Sequence, residues 1–150
     1  MTVIRGIEGA RALAGQEMDV GAWMAVDQSR IDRFADATGD HQWIHVDREK
    51  AARSPFGGTI AHGYLTLALI VPLMAESVRF EGVSAVLNYG ANKVRFPAPV
   101  REGARVRLHC RLLSVEEREG GALLTFANTI EIEGGPRPAC VAESLVLLLP

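Results

Sequence analysis

The chain has 150 residues, a net charge of −2, 48% hydrophobic residues and 23% charged residues, ordinary values for one soluble globular domain. Its basic residues are dispersed, with no run beyond Arg105-Val106-Arg107, which argues against nucleic acid or an anionic membrane as partner. The longest apolar run, Leu65 to Ala75, is too short to span a bilayer and contains Pro72. Met1 to Ala14 lacks a basic stretch leading into an apolar one. We therefore expect a cytoplasmic protein in which Cys110 and Cys140 stay free thiols.

Gly6 to Gln16 reads as an N-terminal helix and Trp23 to Val26 as a first strand. Ser29 is placed to cap a helix carrying Ile31, Phe34, Ala35 and Thr38 on one face and Asp32, Arg33 and Asp36 on the other. Gly39 would end it as a C′ glycine. Asp47 is placed to cap a second, short helix through Arg53, closed by Ser54-Pro55. From Tyr64 to Ser77 the segment is apolar nearly all round, the pattern of a buried helix, and Pro72 should kink it.

After Gly82 the period becomes two. Val83 to Tyr89 and Lys93 to Phe96 supply one or two strands. Val106, Leu108, Cys110 and Leu112 alternate with polar residues, as do Leu124, Phe126, Asn128, Ile130 and Ile132 with theirs. Glu119-Gly120-Gly121 and Gly134-Gly135-Pro136 are the intervening turns, and Ala139 to Leu149 reads as a central strand. The order predicts an α+β domain over residues 1–150, with a long curved antiparallel sheet wrapped around one central helix.

The chemistry concentrates between Ala37 and Gly63. Asp40 and His45 lie five positions apart on a glycine-bounded turn, a carboxylate and an imidazole able to share one water. Gly63 opens the apolar helix, and its bare N–H is suited to meet an oxyanion. His41 and His45 at i, i+4, with Asp40 and His62 nearby, have a zinc-like spacing, but no dense Cys/His cluster accompanies them, so no metal is expected. Gly57-Gly58 and Gly63 match neither a P-loop nor a dinucleotide fingerprint. His62 reads as a residue bracing the loop, and His109 as surface.

These residues resemble a known family. In the signature of MaoC-like, (R)-specific enoyl-CoA hydratases, Gly-Asp is followed by a variable residue, Asn-Pro, an aliphatic residue, His, five free positions and a small residue. Gly39-Asp40-His41-Gln42-Trp43-Ile44-His45 and Ala51 fill those places, with Gln42 standing for Asn and Trp43 for Pro. Gly57 to Thr66 is similar to the family's entry into its central helix, and Arg95-Phe96-Pro97-Ala98-Pro99-Val100 to a strand-and-turn segment that follows. Within the family the chain looks closest to small bacterial members of the nodulation-protein-N type.

The resemblance implies a hot-dog fold working as a homodimer or a dimer of dimers. It also implies reversible syn addition of water to trans-2-enoyl-CoA, giving (3R)-hydroxyacyl-CoA. Asp40 and His45 would be catalytic, and the Gly63 N–H the oxyanion donor. Gln42, His62, Val71, Met74, Lys93 and Arg95 are the candidate substrate contacts: Val71 and Met74 for the acyl chain, Lys93 and Arg95 for coenzyme A phosphates. No cofactor is expected, coenzyme A being part of the substrate. Two other readings stand beside this one: a hot-dog acyl-CoA thioesterase, and a non-catalytic acyl-CoA-binding module kept open by Gln42 and Trp43.

Overall fold

The computed structural model describes residues 1–150. Strand β1 (Thr2–Arg5) runs directly into helix α1 (Gly6–Ala12). Four residues are too few to show periodicity, so β1 has no sequence signal of its own; it pairs in parallel with β3 (Val78–Glu81), Ile4 beside Phe80. Helix α1 stops short of the expected Gln16. Gly15, at φ 85°, turns the chain so that its N–H reaches the Leu112 carbonyl at 2.7 Å.

After the short strand β2 (Met24–Ala25) comes α2 (Gln28–Thr38). Its cap is Asp27, whose carboxylate accepts the Arg30 N–H at 2.8 Å, rather than Ser29. The earlier start puts Gln28 on the same buried face as Ile31 and Ala35. Gly39, left-handed at φ 76°, closes the helix as expected, its N–H bonding the Ala35 carbonyl. Two short helices follow, α3 (Trp43–Val46) and α4 (Arg48–Ala52), the second capped by Asp47 as predicted.

The central apolar segment is two consecutive helices, α5 (Gly63–Ala68) and α6 (Ile70–Ala75), meeting at Leu69. Pro72 explains the break: it has no N–H to offer the Ala68 carbonyl, and its ring crowds that carbonyl. Leu65, Leu69, Ile70 and Leu73 face the core, while Tyr64, Ala68, Val71 and Ala75 form an exposed stripe. The expectation of burial all round is corrected for the single chain.

Strands β4 (Ala85–Arg95), β5 (Arg105–Arg118), β6 (Gly121–Ile132) and β7 (Cys140–Leu149) complete an antiparallel sheet ordered β2-β5-β6-β7-β4. The two candidate stretches Val83–Tyr89 and Lys93–Phe96 are one strand. Its pairing with β7 shifts at Tyr89 and again between Asn92 and Arg95, where Lys93 takes φ 52°. That double irregularity hides the continuity from a period-two reading. The inner sheet face buries Val106, Leu108, Leu112, Leu124, Phe126, Ile130, Val146 and Leu148 against the helices. Each such side chain contributes about 1.5–3 kcal/mol. β7 lies between β6 and β4, as its apolar run suggested.

Candidate active site

The turn after α2 carries Asp40, and one turn later α3 carries His45. Asp40 is exposed, with one carboxylate oxygen accepting the Gln42 N–H at 3.3 Å. His45 points inward and is only 5% exposed. What holds the two in place is the segment Thr59–Gly63, which lies against them just before α5.

The contacts between turn and segment are specific. The Ile60 N–H donates to the Ile44 carbonyl at 3.0 Å, and His45 Nδ1 donates to the Ile60 carbonyl at 2.7 Å. His62 Nε2 donates to the Asp40 carbonyl at 2.9 Å. Gln28, at the start of α2, closes the set: its amide N–H₂ donates to the His45 carbonyl at 2.7 Å and to Asp32 at 2.8 Å. Its Oε1 accepts the Thr59 hydroxyl at 2.5 Å. Gln28 and Thr59 are both buried, so these bonds are made without competing water.

This wiring fixes the His45 tautomer. A carbonyl can only accept, so Nδ1 carries the proton, and in the neutral ring Nε2 presents a bare lone pair. Burial pushes the His45 imidazole below its ordinary range; the Ile60 hydrogen bond and the Asp40 charge pull the other way, and His62 adds to the lowering. A neutral imidazole with Nε2 free is the form a general base needs.

A carboxylate oxygen of Asp40 and one ring nitrogen each of His45 and His62 lie within 4.8 Å of one another. Two polar atoms at that separation can both hydrogen-bond one water, since two bonds of about 2.8 Å reach further. The same three residues raise the question of a metal. The His45 and His62 rings stack with centroids 3.8 Å apart and planes 23° from parallel. Lone pairs in near-parallel rings run side by side, so an ion held by both at about 2.0–2.1 Å would lie well out of each ring plane. The arrangement suits a shared water better than a metal.

His45 and Gly63 face one cleft of about 380 Å³, with Ile44, Thr66, Phe96 and Val100 among its walls. As the first residue of α5, Gly63 has no acceptor for its N–H within the helix. A Cβ at Gly63 would come within 3.1 Å of the Phe96 ring, so the backbone lies bare beneath that ring.

The other predicted residues divide. His62 is buried to 2% exposure, bonded to the Asp40 carbonyl and stacked on His45. Gln42 is exposed beside Asp40. Val71 and Met74 line an apolar cavity of about 250 Å³ between α6 and the β4–β7 end of the sheet. Val71 also borders a neighbouring one of about 360 Å³ that runs back along α5 to Leu67. Lys93 pairs with Glu143 at 2.8 Å, and Arg95 is exposed without an acidic partner. Neither lines the cleft that holds His45 and Gly63.

Gln28, Thr59 and Phe96 also contribute to the site, beyond the residues expected from the sequence. For Gln28 a signal existed: it stands three before Ile31 and seven before Ala35, on the apolar face, where a glutamine needs partners.

Comparison with known proteins bears on the site. The family described as MaoC like domain matches residues 10–131. A Mycobacterium tuberculosis protein named 3-hydroxyacyl-thioester dehydratase Z is 48% identical over 147 residues, covering 97% of each chain. Nodulation protein N of Rhizobium leguminosarum is 45% identical over 142 residues, covering 89% of this chain and 85% of that one. Among solved structures, the R-hydratase PhaJ1 of Pseudomonas aeruginosa superposes with a TM-score of 0.74 at 22% identity, covering 91% of this chain and 81% of that one. At that identity the likeness speaks to the fold alone, which is the hot-dog fold.

Proposed function

This chain belongs to the MaoC-like dehydratase family, and from that premise we propose that it adds water reversibly to trans-2-enoyl-CoA, giving (3R)-hydroxyacyl-CoA. The carrying observation is that Asp40 and His45 hold a carboxylate oxygen and a ring nitrogen close enough to grip one water, with the His45 proton committed to Ile60. His45 Nε2 takes a proton from that water as its oxygen bonds to C3 of the enoyl thioester. The C2–C3 π pair moves toward the thioester oxygen, where the Gly63 N–H meets the developing charge. A proton returned to C2 from the Asp40–His45 pair restores the carbonyl. Water is consumed once, both sites are regenerated, and delivery from one side makes the addition syn. The scheme needs no metal or redox cofactor.

The relative named for 3-hydroxyacyl thioesters, at 48% identity over nearly both full lengths, supports this substrate class. Gln42 sits beside the carboxylate where it can touch the water or the thioester. Of the two basic candidates, Arg95 is the better partner for coenzyme A phosphates, because Lys93 is engaged with Glu143. Val71 and Met74 line apolar space suited to an acyl chain.

We also infer that the working unit is a homodimer. The edge strand β4 is exposed along nearly its whole length, and its Val86, Asn88 and Tyr89 share the walls of the apolar cavities with Ala68, Val71 and Ala75 of the exposed helical stripe. A second copy over this face would reconcile the exposed stripe with a helix whose sequence is apolar all round.

Absorbance of the enoyl-thioester conjugation tests the reading. It should fall when the protein meets crotonyl-CoA or hexenoyl-CoA. Asp40→Asn and His45→Gln should each slow that fall by roughly 10²–10⁴-fold while leaving the circular dichroism unchanged. Free thiol released from acyl-CoA instead, or turnover undiminished in either variant, would remove the proposal.

A further inference from the structure

His62 is a buried, closely packed polar side chain that the reaction scheme leaves without a task. It is 2% exposed, and its ring lies between two others: stacked on His45 at 3.8 Å and tilted against Phe34 of α2 at 4.8 Å. Its Nε2–H is spent on the backbone carbonyl of Asp40, and Nδ1 has no hydrogen-bond partner within the chain. An apolar ring would fill the same space without leaving a buried nitrogen unsatisfied, a defect that costs about 1–3 kcal/mol. A histidine here is therefore poorly explained by packing.

We propose that His62 is the positioning residue of the Asp40–His45 pair, its Nε2–H anchoring the backbone of residue 40 while its ring face sets the plane of the His45 imidazole. The inference rests on the hydration reading for its kinetic consequence, and on geometry alone for its structural one. His62 contacts both members of the pair, the Asp40 carbonyl through Nε2–H and the His45 ring by stacking. Asp40 sits on an exposed turn and its carboxylate makes one long bond, to the Gln42 N–H. Apart from that turn's own bonds, the His62 bond is what ties residue 40 to the loop that carries Ile60 and Gly63. Since Gly63 is the next residue, one side chain sets the carboxylate, the imidazole and the oxyanion donor in a single frame. A misplacement of about 1 Å in such a frame costs on the order of 10²-fold in rate.

The test compares His62→Phe, which keeps the ring face and loses the donor, with His62→Gln, which places an N–H near the Nε2 position. In the wild-type background, His62→Phe should lower kcat about 10²-fold with KM for crotonyl-CoA within twofold. His62→Gln should recover part of that loss. Read without substrate, the backbone amide resonances of Gly39 to Gln42 should broaden in His62→Phe and sharpen again in His62→Gln. If His62→Phe does not fold, His62→Met against His62→Gln makes the same comparison at matched length, and equal kcat in the two overturns the proposal. So does wild-type kcat with undisturbed resonances in His62→Phe. A wild-type protein that hydrates no enoyl thioester removes the hydration reading, and the amide resonances then decide the role of His62 on their own.

Discussion

Burial of the His45 ring has two consequences with a definite sign. The folded protein holds this imidazole below its unfolded value of 6.5, chiefly by desolvation. Between the lowered folded value and 6.5, the unfolded chain therefore binds more protons than the folded one. Stability contributed by His45 is complete above about pH 6.5 and is lost as pH falls through the folded value. Comparing the pH dependence of the melting temperature for wild type and His45→Gln isolates this effect from exposed His41, whose pairing with Asp36 raises its own value. Wild type should lose more than the variant on going from neutral pH toward pH 5; the reverse order would contradict the assigned environment. The acidic limb of kcat/KM should likewise fall below the ordinary imidazole range, because the base works only when neutral. Asp40, His45 and Gly63 were legible because each is a reactive or backbone-bare type at a fixed spacing in the sequence. For Gln28 and His62 the sequence shows a buried-face position and a loop position, but not their partners, which are backbone carbonyls far along the chain.

At the scale of elements, α2 is the strut of the site: its first residue, Gln28, grips the His45 carbonyl, and its Phe34 ring backs His62. Its N-terminus depends on the Asp27 carboxylate, which satisfies the Arg30 N–H at 2.8 Å. Asp27→Ala should cost about 1 kcal/mol of stability, seen as a lower denaturation midpoint at unchanged slope. Ser29→Ala should cost much less, although Ser29 is the cap that spacing suggested. Equal losses in the two variants would reverse the assignment. Both residues are good caps by type, and the choice between them was set by tertiary structure: starting at Gln28 brings its amide onto the buried face. The central helix shows the complementary case. Pro72 announced an interruption, and the break falls where its missing N–H would have bonded, four residues earlier. The parallel pair β1–β3 is invisible to periodicity, because four-residue strands paired across half of the chain leave no local pattern.

For the whole molecule, the sheet's two edges differ sharply. β2 is two residues long, whereas β4 runs from Ala85 to Arg95 and leaves one side of its backbone unpaired. A long edge with few charges invites another strand unless something covers it. The basic residues that could guard it, Lys93 and Arg95, lie only at its far end. Nearer its start, Leu87 is 45% and Tyr89 65% exposed, and Tyr89 borders a cavity that Val71 of α6 also lines. Solvating so much apolar surface is unfavourable for a lone chain, at roughly 25 cal/mol for each Å² left wet. Equilibrium sedimentation should accordingly give twice the 16.2 kDa chain mass, or four times if dimers pair. Leu87→Lys combined with Tyr89→Lys should shift the protein toward the monomer, because the new charges would have to be buried at the interface. Both positions are already solvent-exposed in the single chain, so circular dichroism and the unfolding slope should be unchanged. A wild-type chain that sediments as a monomer at tens of micromolar while hydrating crotonyl-CoA would mean that the exposed face of α5, α6 and β4 serves some purpose other than self-association.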